Sequence, residues 1–355
     1  MTFLDIKNAK AAILVKQNSP LIVDDIQFPK QLDYGQVLVK VLVSGICGSQ
    51  LGEISGAKGE DKYIPHLLGH EGCGIVKAIG PGVKTVKVND KVVMHWRPGS
   101  GIQSDPPKYK FQGRDLNAGW VTTFNEYGII SENRCTSINK DLDPEIGSLL
   151  GCAVTTGFGV VENNAKLKIG ESIVIYGAGG IGLSVIEAAK AVSAWPIIAV
   201  DIFDNRLNLA REIGATHIIN GKSGDVENKI NSILKNKPLN VFIDNTGIPS
   251  IIELGYSLVD KFGIIVLVGV PKIGNNINIF SLPLHFGKTI VGSHGGESNP
   301  DSDIPRYINH FIKNKVDPKK IITQRFDLEN INKAIDSIKS GDTAGRIIIE
   351  LSHKK

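Results

Sequence analysis

Two rhythms of hydrophobic and polar positions divide the chain. Up to about residue 150, apolar residues come in short runs rich in β-branched side chains, bounded by Gly, Pro or Asn. VLVKVLVSGI (37–46) and CGIVKAIG (73–80) are the clearest. Such runs predict strands separated by turns. After KVNDKVVMHW comes RPGSGIQSDPPKYKFQGRDLNAG, rich in turn formers and without a period, which predicts a long surface or pocket loop. From about residue 155 the pattern alternates. ESIVIYGAGG reads as a strand into a glycine turn, IGLSVIEAAKAV as a helix, IIAVDI as a strand, NRLNLAREIGA as a helix and HIIN as a short strand. VENKINSILKN, VFIDNTG, SIIELGYSLV and GIIVLVGV continue to about residue 270. Fully apolar strands alternating with helices predict a parallel sheet covered on both faces. The stretch from DIPRYINHFIKN to RIIIEL mixes helices with a last strand and fits either half.

At 355 residues the chain is long for one core and comfortable for two domains. The formal charge is +4, with Lys and Arg scattered among nearly as many acids, so no nucleic-acid footprint is expected. No apolar run approaches the ~18 residues of a membrane span. The start, MTFLDIKNAK, lacks a basic stretch followed by an apolar one, so no signal peptide is expected. Four widely spaced cysteines (47, 73, 135, 152) do not read as a disulfide framework, and a reducing cytoplasm is the expected compartment.

The 39 glycines concentrate in strings such as GICG, GHEGCG, GAGGIG and GSHGG, which points to loops that approach ligands. Gly177, Gly179 and Gly182 form G-x-G-x-x-G directly after an apolar strand and at the start of a helix. Gly177 suits the tight turn, Gly179 the approach of a pyrophosphate, and Gly182 close packing of helix on strand. Together with Gly180 and Ile181, they form a helix N-terminus whose free N–H groups favour phosphate. Asp201 ends the next strand, nineteen residues on, where it can accept bonds from ribose hydroxyls and repel the extra phosphate of NADP. NAD is therefore the expected cofactor. The neighbouring Arg206 tempers this, since an Arg at such a place can accommodate that phosphate.

LLGHEGCGIV (67–76) places His70, Glu71 and Cys73 within four residues. Cys47, in SGICGSQ, and Cys152, in LLGCAVTTGFG, lie far away in sequence. Two thiolates, one imidazole and an open fourth position would make a catalytic zinc site. Taken singly, each of the three can equally be a buried packing residue.

The whole chain resembles the zinc-containing medium-chain alcohol dehydrogenase family. The resemblance rests on GICGS, GHEGCGIVKAIGPGV, DKVV, GCAVTTGFG, GAGGIG, VD and SGDTAGR. It implies an α/β fold, with a Rossmann-type doubly wound parallel sheet beside a mostly β, GroES-like catalytic domain. The expected division is residues 1–155 catalytic, 156–294 NAD-binding and 295–355 the C-terminal part of the catalytic domain. By resemblance Cys47, His70 and Cys152 ligate zinc. Glu71 is an acid behind the metal that can take over coordination, and Ser49 takes the proton from the substrate alcohol. Thr156 packs near the nicotinamide, Arg206 on the adenosine ribose and Arg346 on the pyrophosphate. Thr246, Val268 and Val270 meet the nicotinamide side. The implied reaction is hydride transfer between a primary or secondary alcohol and NAD. Cys73 becomes a small side chain at a strand start.

Departures from the family carry their own expectations. HWRPGSGIQSDPPKYKFQGRDLNAGW has none of the four cysteines that hold a second, structural zinc in many relatives, so one Zn2+ per chain is expected. Gln50 replaces an Asp, removing an ion-pair acceptor. Gly48 stands where some relatives have a phosphate-binding Arg. Gly52 stands where several carry the histidine that ends a proton relay, so the relay goes to water or to a side chain from elsewhere, with His66, His95 and His294 as candidates. Trp96, Asn117, Trp120 and His294 are the expected substrate-pocket residues. With Arg97 they suggest a polyol, sugar or charged alcohol. A homodimer or homotetramer is expected by analogy, with GIIVLVGV to INIF as the edge of the nucleotide sheet. Two other readings stand beside the main one: a metal-free reductase of the same superfamily, and a catalytically silent nucleotide-binding or lens-type structural protein.

Overall fold

The computed structural model describes residues 2–57, 59–341 and 343–351; Asp342, inside SGDTAGR, lies outside them. The chain forms two compact units. One comprises Met1–Cys152, Asn299–Ser340 and Arg346–Lys355, and the other comprises Ala153–Ser298 with Gly341–Gly345.

The first unit is built on strand Gln36–Gly45, which is buried along nearly its whole length. It pairs antiparallel with Glu71–Ile79, Tyr127–Ser131 and Arg346–Glu350. The seven-stranded sheet continues outward through Lys91–His95 to Cys135–Ile138, and on the other side to Ile322–Asp327. Val37, Val39 and Val41 project from alternate positions into a core shared with Val76, Val92, Ile347 and Ile349, as a period of two requires. The expected strand at 73–80 begins two residues earlier, at Glu71, because Gly72 also joins the ladder against Ser44.

The stretch expected to be a long loop contains a hairpin. Tyr109–Phe111 and Arg114–Leu116 pair antiparallel, and Lys110 lies opposite Gln27 in a five-stranded sheet. Gln112 and Gly113 both have positive φ, 49° and 77°, the geometry that closes a two-residue hairpin with the twist of its strands. Tyr109, Phe111 and Leu116 are buried with Ile13, Ile26, Leu38 and Ile129. The Tyr109 hydroxyl accepts the Ile129 N–H at 2.8 Å.

The second unit holds a six-stranded, all-parallel sheet. Its order is His217–Asn220, Ile197–Asp201, Ile173–Tyr176, Val241–Asp244, Ile264–Leu267 and Thr289–Gly292. The chain order switches between Ile173–Tyr176 and Val241–Asp244, and a sheet of this kind opens its crevice at the carboxyl ends there. The edge differs from the expected one. Ile264–Leu267 is paired on both sides, residues 277–280 form no strand, and Thr289–Gly292 is the outermost strand. All these runs are equally apolar, so only pairing distinguishes an edge from its neighbour. Gly341–Gly345 joins this unit through a parallel bridge between Gly345 and Gly179, although the chain around it belongs to the first unit. Among the described residues, no helix is long and apolar enough to cross a membrane.

Candidate metal and dinucleotide sites

Three separate segments of the first unit bring Cys47, His70 and Cys152 together. Cys47 is the N-cap residue of helix Gly48–Ile54, His70 directly precedes strand Glu71–Ile79, and Cys152 ends the unit's first segment. One ligand atom from each lies within 4.8 Å of the other two. The two sulfurs are 3.9 Å apart, and all four cysteines are buried and outside any disulfide. A disulfide would need about 2.05 Å. A tetrahedral metal with two Zn–S bonds of about 2.3 Å sets its sulfurs about 3.8 Å apart. The donor set therefore fits zinc.

The electrostatics favour a cation at this point. The hydrogen bond from Cys152 holds the Cys47 thiol well below its ordinary value, and the Arg346 charge adds to that. Cys152, as the donor, is pushed up. Burial pulls His70 down, but the hydrogen bond and charge of Cys47 outweigh it and raise the imidazole overall. Without metal the thiols share a proton, and a bound cation would release it.

Glu71 is fully buried, with its carboxylate 3.2 Å from Arg346 Nε. Gly45 makes room for it: a Cβ there would stand 2.4 Å from Glu71 Oε1. Arg346 also donates to the Ile46 carbonyl at 3.0 Å. Arg346, expected on the pyrophosphate, is thus buried against Glu71 and within electrostatic reach of Cys47 and Cys152. Gln50, noted in the sequence only as a missing charge, is buried and does two things. Its Oε1 accepts the Cys47 N–H at 2.9 Å, and its side-chain amide meets His70 Nδ1. Ser49 Oγ is buried and has no hydrogen-bond partner, which leaves a hydroxyl ready for a ligand.

Of the expected pocket residues, Trp96 stands beside His70, with ring centroids 6.5 Å apart. Asn117 is exposed and donates to the Tyr63 carbonyl at 2.7 Å. Trp120 is 42% exposed and carries the Arg134 guanidinium 5.4 Å from its ring centre. His294 belongs to the second unit, where its N–H donates to Glu297. Two of the relay candidates have both ring nitrogens engaged. His95 bonds the Arg97 carbonyl and the Thr136 hydroxyl, and burial pulls it down to about 4. His66 bonds Asp61 and the Leu67 carbonyl. Cys73 is buried, and that burial pushes its thiol up to about 12.

In the second unit, Gly177 has φ +95°, and a Cβ on Gly182 would stand 2.1 Å from the Gly177 carbonyl. A Cβ on Gly179 would meet nothing, so the backbone there is open to a ligand. Helix Gly180–Ala191 starts at this turn, with Ile181 in its first turn. Asp201 accepts the N–H groups of Ala178 and Phe203, at 2.8 and 3.1 Å. Arg206 lies 3.9 Å from Asp201, stacks over Phe203 and donates to the Thr343 carbonyl. Thr246, Val268 and Val270 follow the carboxyl ends of their strands. Thr156 is buried in helix Ala153–Gly159. Motif spacing does not single out Asp244. Its carboxylate accepts from Thr246 N, Thr246 Oγ1 and Gly247 N and so shapes the loop that presents Thr246. An acid ending a strand, in FIDNTG, was its only visible sign.

Comparison with known proteins agrees with this geometry. Residues 33–140 match the alcohol dehydrogenase GroES-like domain, and residues 180–314 match the zinc-binding dehydrogenase family. Alcohol dehydrogenase 6 of Peromyscus maniculatus is 31% identical over 94% of this chain and 95% of its own length. S-(hydroxymethyl)glutathione dehydrogenase of Escherichia coli is 30% identical over 96% of this chain and 99% of its own. The crystal structure of an alcohol dehydrogenase zinc-binding domain protein from Burkholderia ambifaria superposes with a TM-score of 0.90 at 29% identity, covering 98% of this chain and all of that one. A Cys–His–Cys cluster, a glycine turn beneath a parallel sheet and relatives matched end to end converge on one assignment: the chain belongs to the zinc-containing medium-chain alcohol dehydrogenase family.

Proposed function

We propose that the protein is an NAD-dependent zinc alcohol dehydrogenase acting on a primary or secondary alcohol, with one catalytic zinc and no structural zinc. The 3.9 Å sulfur separation beside an unpartnered Ser49 hydroxyl carries this reading. When bound, zinc supplies a Lewis acid for the substrate oxygen, and NAD supplies the hydride acceptor.

The chain's own residues do the rest. Cys47, His70 and Cys152 hold the metal, and Gln50 fixes the plane of His70. Ser49 Oγ takes the proton from the substrate hydroxyl and passes it on. Trp96 walls the reacting centre against water. Glu71, held by Arg346, keeps a negative charge behind the thiolates and serves as an exchange ligand. In the second unit, Gly177, Gly179, Gly180, Ile181 and Gly182 receive the pyrophosphate, while Thr156, Thr246, Val268 and Val270 serve the nicotinamide. Asp201 receives the ribose hydroxyls. Arg206 is held by Asp201, Phe203 and Thr343, which supports NAD over NADP. Arg97 and Trp96 lie together, with the guanidinium 5.9 Å from the ring centre, which supports a polyol, sugar-like or charged alcohol.

The edge strand Thr289–Gly292 and the exposed Phe280, Leu282 and Phe286 support assembly as a homodimer or homotetramer. Metal analysis after exhaustive dialysis, with a panel of alcohols, polyols and hydroxy acids assayed for NAD and NADP reduction, tests the proposal. About one zinc per chain and NAD-linked oxidation are expected. Absence of zinc in an active protein would make it a metal-free reductase, and failure to reduce either cofactor with any alcohol would point to a silent relative.

A further inference from the structure

A second group of metal-capable side chains in the first unit shares no residue with the Cys–His–Cys cluster. Glu53 sits near the end of helix Gly48–Ile54, Asp61 in the loop that follows, and His66 in strand His66–Leu67. One ligand atom from each lies within 4.8 Å of the others. His66 Nε2 is 2.8 Å from Asp61 Oδ2 and 3.9 Å from Glu53 Oε1.

The donor balance of the imidazole makes this more than a cluster of acids. His66 Nδ1 is 2.9 Å from the Leu67 carbonyl, which can only accept, so Nδ1 carries a hydrogen. A neutral ring then turns the lone pair of Nε2 toward two carboxylates, which are also acceptors. That contact becomes favourable when a proton or a metal cation lies between them. Metal-binding histidines have this arrangement, in which a carbonyl fixes one ring nitrogen and leaves the other facing the metal. The side chain of His66 is 8% exposed and Asp61 12%, while Glu53 is 45% exposed and leaves an approach from solvent. Asp61 is held in place from both ends: its N–H donates to Gln17 Oε1 at 3.2 Å, and its Oδ1 accepts the Tyr63 N–H at 2.8 Å.

The geometry points to a second divalent-cation site formed by Glu53, Asp61 and His66, with water completing the coordination. One nitrogen and two carboxylate oxygens suit a zinc-class transition ion better than the oxygen-only preference of calcium or magnesium. At 2.8 Å the His66–Asp61 contact has hydrogen-bond length, so this is the place for which a proton and a metal cation compete. The entering cation displaces that proton to solvent. Because Glu53 and Ser49 share one short helix, a cation here ties the far end of that helix to strand His66–Leu67.

Zinc chloride titrated calorimetrically into protein that keeps its tightly bound zinc tests the site. One further zinc per chain is expected, with a thermal midpoint that rises on binding. Glu53→Gln is isosteric at an exposed position and His66→Gln removes the nitrogen ligand. Each should weaken the added zinc at least tenfold while the dialysis-resistant zinc remains. No second binding event in the unaltered protein, or an undiminished one in Glu53→Gln, would overturn the assignment.

Discussion

Arg346 and Glu71 face each other inside the first unit, with 3.2 Å between Nε and Oε1, and neither is more than 4% exposed. The pair joins strand Arg346–Glu350 to the start of strand Glu71–Ile79, next to His70. Arg346→Ala leaves a buried carboxylate uncompensated. Such losses cost about 3–5 kcal/mol. Urea unfolding of the variant should show a deficit of that size, and an unchanged midpoint would remove Arg346 from its structural role.

Gln50→Ala should act on the metal more than on the fold. It removes an acceptor for the Cys47 N–H and the side chain that meets His70 Nδ1. Loss of such an outer contact lowers metal affinity about 10–100-fold. Competition against a chromophoric chelator measures it.

Gly182→Ala addresses the dinucleotide turn. Its new Cβ would lie 2.1 Å from the Gly177 carbonyl, so the turn must distort. NADH affinity, followed by fluorescence titration, should fall by at least about tenfold, with zinc content unchanged.

Glu132 gives the stability a pH dependence. Burial pushes its carboxyl up, but bonds from the backbone N–H groups of Lys84, Thr85 and Ile102, and from the Thr85 hydroxyl, hold it below its ordinary value. A depressed carboxyl contributes stability above its unfolded pKa of about 4.3 and loses it as pH falls through the folded value. Glu132→Gln should therefore cost about 1–3 kcal/mol at pH 7. The gap from the unaltered protein should narrow as pH falls below the unfolded value of about 4.3 and close once it passes the lower folded value, as chemical denaturation across pH will show.

How much could be read beforehand depended on whether a feature is local. The glycine turn and Asp201 lie within one strand–turn–helix–strand unit, so spacing alone exposes them. Cys47, His70 and Cys152 come from three segments, and only family resemblance could join them. Tyr109–Phe111 was hidden because two three-residue strands, closed by Gln-Gly rather than Asn-Gly, are too short to show a period. The return of Gly341–Gly345 to the second unit was invisible for a different reason. The Gly345–Gly179 bridge is a backbone pairing and leaves no side-chain pattern. Gln50 was visible, but its contact with His70 depends on a helix cap and could only be seen in three dimensions.

Strand Arg346–Glu350 lies between Gln36–Gly45 and Ile322–Asp327. The bond from Arg346 to Ile46 spans 300 residues of chain. The second unit's six strands, by contrast, all come from one unbroken segment, Ala153–Ser298. Closing so large a loop is entropically costly and slow. On a ribosome, the nucleotide sheet can assemble while the first unit still lacks an inner strand of its sheet. The counter-charge for Glu71 arrives 275 residues after it, so a chain made only through the nucleotide sheet holds Cys47, His70 and Cys152 without the guanidinium that balances their neighbour.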